Sequence, residues 1–378
     1  MFGLVFATAT CLFARCVSAN ILQASSTTPP EWQNMTILQR LMDYDWTKEA
    51  IIGGTLLAYV ALHFYGVNRN KSKVTKWIND HNEVLANQFY QVGTKHPQGD
   101  LIVSDSPTQF TTYASGRENI RNLTAAITLK NRQNIVTMFM EEVMGMFWKI
   151  FQTKDSIEIV IRPSIGLDPF IFAVVNKEVM QAAREDNYYL SLTRTTDSEK
   201  LPIYYTFMTE SAEISDAMFN SELSEAIHHP NSQNVLEYVA ITDQLTDRPT
   251  TLEAAAARPQ IRLSMKFPSS KEDLEASKKV LNSAINMIDF AAKKGRWRPE
   301  VTRKIKNTRE AEVKKVQKLL DEEKAEELAQ KKAEKKREQQ QNLSKLSPAE
   351  QRKAEQKERE KEQRKQAKRQ SKRQQIRS

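Results

Sequence analysis

Cysteine is almost absent. Only Cys11 and Cys16 occur in 378 residues, and both lie in an apolar N-terminus. If that stretch is removed as a leader, the remaining chain has no thiol. Disulfides, a cysteine nucleophile and every cysteine-based zinc site are then excluded. Glycine is also scarce, at ten residues. Neither G-x-x-x-x-G-K-[ST] nor G-x-G-x-x-G occurs, so the usual signatures of a backbone phosphate cradle are missing. There is no G-x-S-x-G nucleophile elbow. The five histidines, His63, His81, His96, His228 and His229, form no H-E-x-x-H and no Cys/His cluster. His228-His229 before Pro230 reads as an exposed pair at a helix end rather than a metal pair. Glu141-Glu142, beside Met144 and Phe147, reads as the solvated edge of a helix and not an acid/base couple. The expectation is a non-enzymatic protein without a cofactor or metal.

Charge is present but unevenly placed. The whole chain has 56 Lys+Arg and 47 Asp+Glu. Residues 301–378 hold 26 of the bases and 14 of the acids, and the other 300 residues carry 30 and 33. The tail is therefore strongly basic and the body slightly acidic. Any polyanion should meet the tail.

The apolar runs sit at the N-terminal end. Residues 1–19 form an apolar stretch closing in Val17-Ser18-Ala19, a small-residue site of the signal-peptidase type. Residues 20–49 are a polar segment with the sequon Asn34-Met35-Thr36, and Asn34 is the candidate glycosylation site. Asn70-Lys71-Ser72, Asn122-Leu123-Thr124 and Asn342-Leu343-Ser344 fit the same pattern. Residues 50–67, AIIGGTLLAYVALHFYGV, are uncharged. At about 1.5 Å per residue they span a hydrocarbon core. Tyr59, His63 and Tyr65 sit in the second half of the block and Trp46 just before it, and aromatics near the ends suit the membrane–water interface. Arg69, Lys71, Lys73 and Lys76 follow directly. This basic flank predicts that residues 68–378 are cytosolic and the short N-terminal segment lumenal.

Residues 68–298 read as one α+β domain with a mixed or antiparallel sheet. Val74, Trp77, Ile78, Val84, Leu85 and Phe89 predict a helix over 73–92. Strand-like runs occur at 109–114, 123–129, 157–161, 170–175, 188–192, 203–207 and 260–267. Helical patterns cover 132–150, 177–187, 211–222, 231–245 and 270–293, the last opened by capping residues and early acids.

From Pro299 the composition changes to a helical, coiled-coil-like tail. Val301, Ile305, Val313, Val316 and Leu320 make a thin apolar stripe, enough to pack on the body or on one partner helix but not a sustained heptad seam. NLSKLSP interrupts the pattern at 342–348. Ser347-Pro348-Ala349-Glu350 then has the form of a capping box with Pro at the first helical position. A second helix, 348–378, is expected there. It has no apolar stripe, and from Lys361 onward its charge is almost wholly positive. Its stabilising partner should be a polyanion, on which Lys and Arg displace condensed counterions. RNA, including ribosomal RNA, and anionic lipid headgroups are the cytosolic candidates. The candidate contact residues are Arg352, Lys353, Lys357, Arg359, Lys361, Arg364, Lys365, Lys368, Arg369, Lys372 and Arg373.

The order of leader, single span, α+β domain and Lys/Arg/Glu/Gln-rich tail resembles the calumin family of coiled-coil-domain-containing ER membrane proteins, subunits of the PAT complex. "SPAEQRKAEQKEREKEQRKQAKRQSKR", "KIKNTREAEVKKVQKLLDEE" and "QFTTYASGRENI" are similar to that family's tail and early domain. The resemblance implies a role beside the Sec translocation channel and the translating ribosome, in an intramembrane chaperone complex with the small partner Asterix. The clients it implies are nascent multipass membrane proteins. It also suggests calcium binding by an acidic lumenal region. Here residues 20–49 hold only four acids (Glu31, Asp43, Asp45, Glu49) against Arg40 and Lys48, which weakens a calcium-handling alternative. A tether at the ER surface with a lipid- or RNA-binding tail is the other alternative.

Overall fold

A computed structural model describes residues 35–94, 99–148, 153–344 and 363. The expected leader 1–19 and Asn34 lie outside them. Contacts divide the chain into two units: residues up to Val67 with Gln133–Ile135, and the rest.

In the first unit, α1 (Ile37–Asp43) starts at Thr36, whose N–H donates to the Gln39 side chain at 3.1 Å. Helix α2 (Thr47–Gln88) begins here. Its apolar block leaves Ile51, Ile52, Leu56, Leu57 and Phe64 exposed. Among the described residues it is the one helix long and apolar enough to cross a membrane. Near the block's end, the His63 ring Nδ1–H donates to the Gln133 carbonyl at 3.0 Å.

The apolar block at 50–67 runs on without a break into the helix expected over 73–92. One 42-residue helix contains both and stops at Gln88. No proline interrupts 68–72, and Asn70, a residue that often competes with the backbone, is occupied elsewhere. Its amide donates to the Pro107 and Lys130 carbonyls at 3.1 and 3.2 Å and accepts from Arg132 at 3.0 Å.

The second unit is built on a ten-stranded sheet in which every pairing is antiparallel. The strands are β1 (Gln91–Val92), β2 (Val103–Ser104), β3 (Gln109–Ser115), β4 (Ile120–Thr128), β5 (Ser156–Pro163), β6 (Phe172–Asn176), β7 (Arg194–Thr196), β8 (Tyr205–Thr209), β9 (Leu236–Thr242) and β10 (Gln260–Lys266). Their order is β1-β3-β4-β5-β10-β9-β6-β8-β7, with β2 on β3. The helices are α3 (Ile135–Phe147), α4 (Met180–Asp186), α5 (Tyr188–Ser191), α6 (Ala212–Met218), α7 (Ser221–His228), α8 (Ser232–Val235), α9 (Lys271–Lys294) and α10 (Pro299–Ser344). The α+β expectation holds.

The two halves of the sheet differ in burial. β3, β4 and β5 alternate buried with half-buried or exposed positions, the mark of a sheet covered on one face. β6 and β8 are buried throughout and β9 nearly so. Phe172 and Val174 join the main core with Trp77, Leu281, Ile285 and Ile288. Their neighbours Ala173 and Val175 join a second cluster with Ala183, Tyr189 and Leu190. Successive residues on a strand point to opposite faces, so α9 and the second half of α2 cover one face, and α4 and α5 the other.

This double burial explains two corrections. Residues 188–192, expected as a strand, form α5, with Tyr189 and Leu190 driven into the second cluster. Residues 231–245, expected as a helix, are helical only over Ser232–Val235 and then form β9 in the middle of the sheet. A smaller correction concerns 211–222. It breaks into α6 and α7 because Asn220 accepts the Leu223 N–H at 2.8 Å and starts a new helix. The strand expected at 203–207 lies two residues later, and β1, β2 and β7 were not anticipated.

His81 joins α2 to α9. Its ring stacks on Trp77 at 4.5 Å. Nδ1–H donates to the Trp77 carbonyl at 2.8 Å, and Nε2 accepts the Ser277 hydroxyl at 2.7 Å. Burial pushes its pKa down to about 4, because the charged ring would lose its hydration. Asp155 closes the loop that leads into α3. It accepts from Arg132 at 2.7 and 3.0 Å, from Lys73 at 2.5 Å and from the Lys130 N–H at 3.0 Å. Burial alone would raise its pKa, but these donors hold the carboxyl well below the usual range.

Candidate functional site: a rooted charged helix

The charged tail begins as α10, and its first turns are fixed to the body. Ile305 and Val316 are buried, and Val301, Val313 and Leu320 are half-buried. The apolar stripe expected from the sequence thus packs on the body. Before the helix, Trp297 meets Phe170 edge-on at 4.9 Å, and the Arg298 N–H donates to Glu213 at 3.2 Å.

The strongest fixture is Arg309. Its guanidinium donates to both oxygens of Glu210, at 2.9 and 3.1 Å, and to both oxygens of Asp243, at 2.9 and 2.7 Å. All three groups are buried or nearly so. The topology supplies the acids. β8 and β9 both pair antiparallel with β6, and Phe172 faces Thr209 on one side and Ile241 on the other. The chain therefore leaves β8 and β9 at the same edge, which brings Glu210 and Asp243 together. Burial pushes the Glu210 carboxyl up, and its bonds to Arg309 pull against that. The Ile171 N–H and the Gln244 amide satisfy further lone pairs, at 3.1 and 2.8 Å. Lys304 donates to the Glu210 carbonyl at 2.7 Å, and the Tyr188 hydroxyl donates to Glu312 at 2.9 Å. Sequence reasoning missed this cluster. The available signal was an acid directly after each of two apolar runs, but one of those runs had been read as a helix.

Past Leu320 the described side chains of the helix are exposed. Residues 317–344 carry seven Lys/Arg and seven Asp/Glu. Lys318–Glu322 and Lys331–Glu327 pair along the surface at 3.7 and 3.5 Å, each one turn apart as helical spacing requires. Leu319 and Leu328 are exposed. This neutral rod is about 40 Å long at 1.5 Å per residue. Residues 345–378 then carry thirteen Lys/Arg and five Asp/Glu. All eleven candidate contacts, from Arg352 to Arg373, lie outside the described residues; of the joint expected at 342–348, residues 342–344 still belong to α10 and the rest lie outside them.

Other expected features can be placed. His228 ends α7, exposed, with its Nδ1–H donating to the Ser224 carbonyl at 2.8 Å. Glu141 is not a solvated residue: it accepts from Asn131 at 2.5 Å and from Thr153 at 3.0 Å, while Glu142 stands exposed beside Lys130. Among the described residues no three His, Cys, Asp or Glu side chains converge to hold a metal.

The class these features define has, in chain order, one membrane-length apolar helix, an α+β body and one long charged helix. The chain belongs to the PAT complex subunit CCDC47 family, whose sequence pattern matches residues 45–365. It is 27% identical over 296 residues to a UPF0674 endoplasmic reticulum membrane protein of Schizosaccharomyces pombe, covering 74% of this chain and 77% of that protein. A UPF0674 endoplasmic reticulum membrane protein of Saccharomyces cerevisiae is 26% identical over 330 residues, or 78% and 81% of the two chains. The human PAT complex subunit CCDC47 is 23% identical over 259 residues, which is 63% of this chain and 52% of that protein.

Proposed function

We propose that this chain is a non-enzymatic protein of the ER membrane that holds translating ribosomes through the basic end of its tail, and that it assists insertion and folding of multipass membrane proteins in a PAT-type complex. Family membership and the ER-membrane names of its relatives support the setting. The Sec translocation channel and the small partner Asterix are the neighbours that the family resemblance suggests. The observation that carries the reading is the charge profile of the sequence from residue 317 onward: neutral over 317–344, then thirteen bases against five acids over 345–378. Arg309 fixes the root of the helix that precedes these bases in the chain. Phosphate binding needs charge and reach, and the Lys and Arg side chains of 345–378 supply both.

The test is sedimentation of ribosomes from detergent-solubilised ER. The full chain should travel with ribosomes and leave at high salt, and deletion of 348–378 should abolish this. Replacing Lys361, Arg364, Lys365, Lys368 and Arg369 by Gln should flatten the salt dependence by roughly 0.7–0.9 in log–log slope per lost phosphate contact. Unchanged sedimentation of the deletion contradicts the reading. Loss of binding to anionic vesicles instead, with ribosome association intact, favours a lipid-binding tether.

A further inference from the structure

Helix α3 is the most apolar helix of the second unit, yet none of its residues is buried. Phe139 is 67% exposed, Met146 82% and Phe147 73%. At 100° per residue, Val136, Phe139, Met140, Val143, Met146 and Phe147 fall within about 120° of one another. That arc contains no charge. The acids lie off it: Glu141 turns to Asn131 and Thr153, and Glu142 to Lys130. Thr137, Met138, Met144 and Gly145, on the other side, are half-buried. Trp148 follows at the C-terminal end, exposed.

A continuous apolar face of this kind marks a contact surface. The start of the helix identifies what it contacts. Gln133–Ile135 belong to the unit that holds the apolar block of α2, and the Gln133 carbonyl accepts from His63 at 3.0 Å. His63 is four residues from the end of that block, and Arg69, Lys71, Lys73 and Lys76 follow it. The chain two residues before α3 is thus tied to the turn where α2 passes from apolar to basic sequence, which on the span reading is the level of a membrane–water interface. A helix that starts there, with one uncharged apolar face and an aromatic end, matches a segment lying in the headgroup–acyl boundary.

We propose that α3 is a second membrane contact: it lies in the interface of the bilayer that α2 crosses, with Phe139, Val143 and Met146 turned toward the acyl chains. The inference rests on α2 being a span, and not on ribosome binding. The four methionines of α3, Met138, Met140, Met144 and Met146, suit irregular lipid packing because their side chains are flexible and polarisable.

Spin labels test this in the full chain, with Cys11→Ser and Cys16→Ser, reconstituted into phosphatidylcholine vesicles. Phe139→Cys and Met146→Cys are labelled one at a time, with Leu57→Cys in the block of α2 and Ile203→Cys, an exposed body position, as references. Labels at 139 and 146 should match the label at 57, with an oxygen-to-nickel-chelate accessibility ratio several-fold above that at 203. If they match 203 while 57 reports lipid, the proposal fails although the span stands. If they are shielded from both reagents, protein covers α3 and the proposal also fails. If 57 itself matches 203, the span reading falls and takes the proposal with it.

Discussion

Helices α9 and α3 meet different surroundings. α9 has the more mixed sequence, with Lys, Glu, Asp and Asn among its apolar residues, yet eleven of its 24 residues are buried. α3 is far more apolar and buries none of its thirteen. Apolar content does not decide which helix enters the core. The decision lies in whether the apolar residues face a sheet, as Leu281, Ile285 and Ile288 do, or stay largely exposed, as Phe139, Met146 and Phe147 do. The same contrast separates the two halves of the long helices. The second half of α2 and the root of α10 are covered by the body, whereas the apolar block of α2 and the far end of α10 are not. For the uncovered apolar parts the proposals above name lipid as the partner; the neutral far end of α10 leads in sequence to the basic residues 345–378, for which they name phosphate.

The contrast gives graded expectations. The largest effect should come from Arg309→Ala. It leaves Glu210 and Asp243 buried side by side without their cation, a loss of about 3–5 kcal/mol. Denaturant titration should show it, together with new proteolytic cleavage near 299–316 as the root of α10 undocks. Next, Leu281→Ala in α9 should cost about 2–5 kcal/mol through the cavity it leaves, while Phe139→Ala in α3 should stay within about 0.5 kcal/mol in detergent. Equal losses at the two positions would erase the distinction between the helices.

A pH effect comes third. His81 has a folded pKa of about 4, below the ordinary histidine value of about 6.5. The unfolded chain therefore binds the proton first as pH falls. Stability should be complete above about pH 6.5 and fall between there and about pH 4, by on the order of 3 kcal/mol in all. His81→Gln, which keeps polar atoms near Trp77 and Ser277 but does not titrate, should lower stability at neutral pH and remove the loss in that window.

What the sequence made readable follows the same division. The strands of the singly covered half, β3, β4 and β5, and the neighbouring β10 showed alternation or β-branched runs and lie close to their expected positions. The stripe from Val301 to Leu320 correctly pointed to a packed root. β9 was taken for a helix because a strand buried on both faces loses its alternation, and Val235, Leu236, Val239, Ala240 and Ile241 suit either state. The opposite error at Tyr188–Leu192 has the same origin: aromatic residues typical of strands were packing in the second cluster. The Arg309 cluster was not readable, because its members lie 33 to 99 residues apart in sequence and only the order β9-β6-β8 brings them together. The exposure of α3 was equally hidden, since periodicity reports which face is apolar and not what that face meets.

The account depends most on the side of the membrane that holds the body and tail. Protease treatment of sealed ER microsomes carrying the full chain with a C-terminal epitope tests this directly. The account predicts that the epitope is digested without detergent, since it places residues 68–378 on the cytosolic side. An epitope that survives until the membrane is dissolved would contradict it, because a lumenal tail could never meet a ribosome.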